Sequence, residues 1–164
     1  MKIDKFVFVA IALTIIGLVG GVFLVSRIGE KESVELNTEV KAETTETSFD
    51  WGEIGINDGK VEKIFDIKND GSEILKLSEV STSCMCTTAQ LISGENKSPE
   101  FGMHTKSSYM MEVPAGKSAQ LKVVFDPAFH GPSGVGPITR QITVATNDPE
   151  NPTLNFMLSA VVRK

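Results

Sequence analysis

The chain has two cysteines, Cys84 and Cys86, one residue apart in STSCMCTTA at positions 81–89. On an extended chain, residues i and i+2 face the same way with Cα atoms roughly 6.6–7 Å apart. That is at or beyond the separation of about 4.4–6.8 Å that a disulfide spans, so a bridge between them needs a local kink or stores strain. Two thiolates on one face suit a shared soft metal ion, or a strained pair that cycles between thiols and disulfide. Burial as two inert small hydrophobes is the third possibility. The polar neighbours Ser81, Thr82, Ser83, Thr87 and Thr88 argue against deep core.

Further donors of the same soft or imidazole type follow downstream. His104 comes after Met103 in the polar insert SGENKSPEFGMHTKSS (93–108), and His130 lies in FDPAFHGPSGVGP (125–137), rich in Gly and Pro. Both read as loop residues, where a rigid scaffold presents its binding groups. Cysteine, histidine and methionine together form the ligand set of Cu(I), while two thiolates and two imidazoles equally suit tetrahedral Zn(II). The candidate metal site is therefore Cys84, Cys86, His104, His130 and Met103, with Met85, Phe129 and Gly131 as the surrounding binding loop. An isolated loop histidine is as readily solvated, and of Met110 and Met111 one is expected to fill the core. Trp51 reads as a core or sheet-edge aromatic. A Ser–His–Asp order, a recognisable carboxylate pair and a phosphate-binding glycine loop are all missing from the sequence, so no enzymatic activity is expected.

What must position these residues is a set of strands. From Phe49 the apolar residues alternate with period two. Residues 118–126 place Ala119, Leu121, Val123 and Phe125 on one face, and residues 153–162 do the same with Leu154, Phe156, Leu158, Ala160 and Val162. Ile138, Ile142 and Val144 alternate with Thr139, Gln141 and Thr143, with Arg140 as a flaw on the apolar face. Lys63 is the corresponding flaw beside Val61, Phe65 and Ile67. Such alternation predicts half-buried strands. The turns fall at Asn69-Asp70-Gly71, Pro114-Ala115-Gly116, 131–137 and Asn147-Asp148-Pro149. Six to eight short strands at this spacing predict an all-β, immunoglobulin-like sandwich of about seven strands over 49–164.

Ahead of the sandwich, residues 6–25 (FVFVAIALTIIGLVGGVFLV) carry no charge, and twenty residues at 1.5 Å each match a bilayer core of roughly 30 Å. Lys2 and Lys5 lie in a short basic flank, 1–5. The run exceeds the about 7–15 residues of a signal-peptide core, which favours a retained transmembrane signal-anchor over a cleaved leader. Residues 26–48 are rich in Glu, Thr and Ser and read as a disordered acidic tether. The expected address is the cell membrane, crossed once, with the C-terminal domain outside the cytoplasm. The net charge of −5 comes with no run of Lys or Arg, which excludes a nucleic-acid footprint.

FDWGEI (49–54), the NDG turn (69–71), STSCMCTTA (81–89), PAGKS (114–118) and TNDP (146–149) follow in that order. They resemble a bacterial domain-of-unknown-function family of immunoglobulin-like modules, related to abnormal-spindle/hydin-type domains, over nearly all of 49–163. The S-C-x-C-T segment is its most specific element. The resemblance implies a seven-stranded sandwich in exported or membrane-tethered bacterial proteins, with no established activity. Members usually carry Gly between the cysteines; here it is Met85.

Three functions follow as expectations. The first is soft-metal binding, Cu(I) favoured and Zn(II) the alternative, for delivery, sequestration or sensing. The second is an interaction or structural module of the cell envelope that contacts another protein through 93–108 and 127–137. The third is a thiol–disulfide redox switch, ranked last because no helix N-terminus is at hand to lower a thiol pKa.

Overall fold

The computed structural model describes residues 5–28, 34–105 and 107–164. They fall into two compact units, an N-terminal helix and a domain that begins at Val34.

The helix, α1, runs Lys5–Ile28. Its side chains are described at Val7, Val9 and 11–22, and those of Val9, Ile11, Leu13, Ile15, Ile16, Leu18, Val19 and Val22 are exposed. Over the described residues no helix is long and apolar enough to cross a membrane. The transmembrane reading of 6–25 falls partly outside the described side chains and is not carried by those within.

Among the described residues the domain contains ten strands: β1 (Ala42–Glu43), β2 (Ser48–Gly55), β3 (Val61–Asn69), β4 (Leu75–Thr82), β5 (Thr87–Ser93), β6 (Asn96–Lys97), β7 (Met111–Val113), β8 (Ser118–Phe125), β9 (Gly136–Thr146) and β10 (Thr153–Arg163). Seven of them are seven residues or longer; β1, β6 and β7, of two or three residues, take the total above the about seven expected. They form two five-stranded sheets, ordered β1-β3-β8-β5-β6 and β2-β10-β9-β4-β7. All pairings are antiparallel except the parallel β2–β10 edge. Alternation delivers the core: Phe65, Ile67, Leu121, Val123, Ile142, Val144, Phe156 and Leu158 are buried. The rings of Phe65 and Phe156 meet across it at 4.8 Å. Met111 fills the core as expected, and Trp51 stacks on Phe125 at 5.9 Å from the edge strand β2.

The tether expected over 26–48 needs correction. Residues 29–33 lie outside the described residues, but from Val34 the chain belongs to the domain. Val40 and Ala42 are buried, β1 pairs with β3, and Ala42 N–H donates to Asp148 Oδ2 at 2.9 Å. The few apolar residues in this acidic stretch are enough to dock it. Gly71 makes room for the docked chain: a Cβ there would meet Lys41 N at 2.7 Å and Val40 Cα at 2.8 Å.

One irregularity bears on the cysteines. In β4, Glu79 has φ +47° and the register with β9 shifts between Ser78 and Ser81. This is a β-bulge, two residues opposite one, and it reverses the phase of every side chain after it. Leu75 and Leu77 point inward before it, and Val80 and Thr82 after it.

A cysteine pair between an imidazole and a guanidinium

The cysteines do not lie on an extended strand. They occupy the tight turn by which the chain leaves β4 in one sheet and enters β5 in the other. The turn is held from both sides. Ser83 N–H donates to Gln141 O at 2.9 Å and Asp126 N–H to Cys86 O at 2.9 Å. Thr82 Oγ1 lies 3.0 Å from the carbonyl oxygens of both Cys84 and Thr87. The kink brings the two Cα atoms to 5.2 Å, within disulfide range, and the sulfurs are bridged. The same-face, extended arrangement read from the spacing is thus replaced by a turn.

Burial separates the two sulfurs. Cys84 is half-buried, whereas Cys86 is only 3% exposed and packs with Ile56, Phe125 and Val162 in a small apolar cluster apart from the main core. The polar sequence around the pair argued against such burial. Thr82 and Thr87 are themselves buried, and the carbonyls near the Thr82 hydroxyl show how a polar segment can be.

His130 comes from the β8–β9 connection. The chain turns there through Gly131 at φ +56°, a left-handed conformation that favours glycine, with Gly131 N–H donating to Ala128 O at 2.9 Å. The turn sets His130 Nε2 3.4 Å from Cys84 Sγ, and Phe129 lies edge-on to the imidazole. On the other side Arg140 Nε donates to Cys86 Sγ at 3.0 Å, while its guanidinium lies over the Phe125 ring, 5.4 Å from the centroid. Burial lowers the Arg140 pKa from its ordinary value. The apparent flaw on the inward face of β9 is therefore part of the site. A cation at an inward position of an otherwise apolar strand was the signal that could have marked it.

The donor atoms of Cys84, Cys86 and His130 lie within 4.8 Å of one another. Three of the five expected ligands thus converge. His104 is not in this group among the described residues. The insert bearing it is pinned to β5 by β6 and by the Ala89–Phe101 bridge, with Phe101 buried. By that register the chain after Phe101 heads toward the Thr87 end of β5, and Met103 is exposed. Of the expected binding loop, Met85 and Phe129 are exposed. Gly131 lines an open cleft of about 400 Å³ together with Ile56, Ala128, Pro132 and Val135.

Residues 42–162 match the family described as protein of unknown function DUF1573. The chain belongs to that family. Its match begins at β1, in agreement with the docked segment. Among curated proteins, none matches the chain. A protein of unknown function from Porphyromonas gingivalis W83 is similar in structure, with TM-score 0.58 and 22% identity over 77% of this chain and 49% of that one. This DUF1573 member thus spans about half the length of that protein. A family 123 glycoside hydrolase from Clostridium perfringens aligns with TM-score 0.51 and 11% identity over 76% of this chain and 27% of that one. The ASH/PapD-like domain of human CEP192 aligns with TM-score 0.47 and 14% identity over 83% and 92%. At 22% and 11% identity, the likeness to the first two concerns the fold alone.

Proposed function

We propose that this protein is a membrane-tethered, extracytoplasmic sandwich domain that binds a soft metal ion, Cu(I), through Cys84, Cys86 and His130 when the cysteines are reduced. The convergence of these three donor atoms within 4.8 Å carries the reading. Charge favours Cu(I) over Zn(II). Two thiolates and a neutral imidazole around Cu(I) leave one negative charge, which the adjacent Arg140 guanidinium balances. The same set around Zn(II) is already neutral, and the guanidinium would stand as an uncompensated charge in a partly apolar site. Met103 is an auxiliary donor in this proposal; His104, outside the converging group, is not. The bound ion needs no chemistry of its own: the site serves delivery, sequestration or sensing.

The membrane address is part of the proposal. Its support is the twenty-residue uncharged run at 6–25. A bridged cysteine pair accords with an oxidising compartment outside the cytoplasm. Recovery of the protein in the membrane fraction, with the domain open to added protease in intact spheroplasts, is expected. Recovery in the soluble fraction would remove the tether.

The test of the site is a Cu(I) titration of the reduced protein against a chelating competitor, with Zn(II) in parallel. One-to-one Cu(I) binding that disappears in Cys84→Ser is expected; binding that survives the substitution refutes the site.

A second reading, an interaction module of the cell envelope, is favoured by exposed Met85 and Phe129 at the same end of the domain as the open cleft. Partner capture that is unchanged in the Cys84→Ser, Cys86→Ser double variant is its expected result.

A further inference from the structure

We infer that the Cys84–Cys86 bridge is a directional thiol–disulfide exchange site, attacked at Cys84 Sγ and releasing Cys86 Sγ. It uses the sulfurs of the metal reading but requires no metal.

The direction follows from the unequal surroundings of the two sulfurs. Cys84 borders the same apolar cluster as Cys86 but is only half-buried, in the turn beside exposed Met85, which makes it the more accessible of the two sulfurs. Cys86 is closed off by Ile56, Phe125 and Val162. Exchange depends on which sulfur is accessible and on how well the displaced sulfur carries its charge. At Cys86 the displaced charge is met by the Arg140 Nε–H, already 3.0 Å from Sγ, with Thr87 Oγ1 at 3.6 Å. A hydrogen bond from a fixed cation to an anion is among the strong ones. Nothing equivalent is needed at Cys84, whose neighbour is the His130 imidazole at 3.4 Å.

The co-reactant is a dithiol, on a partner polypeptide or a small molecule. Its first thiolate forms a bond to Cys84 Sγ as the Cys84–Cys86 bond breaks, and the electron pair of that bond passes to Cys86. Its second thiolate then attacks the substrate sulfur of the mixed disulfide and expels Cys84 as a thiolate. The dithiol loses two electrons and becomes a disulfide, and the protein gains two and holds a dithiol. In reverse, the reduced protein transfers the same two electrons to a disulfide. The step is stoichiometric and leaves the site in the form that binds metal.

The experiment uses the full chain, stripped of metal and kept in chelator, with glutathione disulfide as the trapping probe and dithiothreitol as the reductant. Reduced Cys86→Ser, with Cys84 free, is expected to form its glutathione adduct at least about tenfold faster than Cys84→Ser, followed by intact-mass spectrometry. For the wild-type bridge, Arg140→Gln should lower the equilibrium constant for reduction about tenfold, equivalent to roughly 30 mV for a two-electron couple. Arg140→Lys, which keeps the charge, should recover most of that loss, and it decides the matter if the Gln variant does not fold. Equal trapping of the two cysteines, or faster trapping of Cys86, overturns the direction. A folded Arg140→Gln with unchanged equilibrium, or Lys and Gln variants that behave alike, overturns the role of Arg140. Cu(I) titration of the same reduced protein separates the two ideas. Loss of Cu(I) binding with the trapping asymmetry intact removes only the metal reading; Cu(I) binding with symmetric trapping removes only the exchange.

Discussion

Arg140 Nε donates to Cys86 Sγ at 3.0 Å although 54 positions separate the two residues in the chain. Arg140 sits where β9 should present an apolar side chain, and Cys86 is the more buried of the pair. Each explains the other: the buried sulfur has a charged partner, and the inward cation has an acceptor. His130 completes the arrangement from a third element. The site is thus assembled from the β4–β5 turn, the β8–β9 loop and the start of β9, all at one end of the sandwich.

Replacing His130 by Ala should weaken Cu(I) binding at least about tenfold, the lower end of what loss of even an outer-shell partner of a metal ligand costs. The His104→Ala variant should bind as the parent does, because its imidazole is outside the group of converging donors. Competition titrations of both variants check the pair of outcomes. A larger loss at His104 than at His130 would show that the insert, not the β8–β9 loop, supplies the third donor.

The sandwich was legible because its strands are half-buried and alternate: one rule recovers the inward faces of β3, β8, β9 and β10. The site was legible only in part. The cysteine pair declares itself by rarity, and the spacing left a kink or strain as the two ways to a bridge, of which the structure has the kink. The sequence carries no mark of which loops meet at that end, so His104 and His130 were equivalent until the donor-atom distances separated them. The bulge at Glu79 was illegible for a related reason: it is a one-residue slip, visible only against the partner strand. Arg140 was noticed as an exception to a pattern, and the exception was the information.

Truncating the chain to residue 49, the boundary the alternation suggests, should destabilise the domain relative to a start at residue 34. The shorter chain loses β1 and the buried Val40 and Ala42. Burial of a single Val is worth about 1.5–3 kcal/mol, so the loss should exceed that of one core contact. It is measured as a drop in the urea midpoint. Equal midpoints would mean that the docked segment contributes nothing to stability.

Gly71→Ala tests the same contact from the other side. The added methyl would run into the backbone of 39–41, which cannot move aside as a flexible side chain would. Overpacking of this kind costs typically about 1–3 kcal/mol. In the chain truncated to residue 49 the obstructing backbone is gone, so the penalty should shrink there. A double-mutant comparison by urea unfolding reads the difference.

Acid should loosen this corner through Asp148. Burial pushes its pKa up, but hydrogen bonds from the Asn151 side chain and from the backbone N–H groups of Ala42, Glu150 and Asn151 outweigh it, so the net shift is downward. A carboxylate with a folded-state pKa below its ordinary value of about 3.9 stabilises the fold fully above about pH 5. The unfolded chain takes up the proton first as pH falls, and the contribution drains away as pH drops through the lower folded value. Asp148→Asn removes the charged acceptor and turns an amide toward donors that already point inward. The variant should therefore be less stable than the parent at pH 7, with the gap narrowing steadily below pH 4. Urea unfolding at stepped pH values measures the gap. A gap that stays constant down to pH 2 would mean that the carboxylate's charge is not what holds β1 in place.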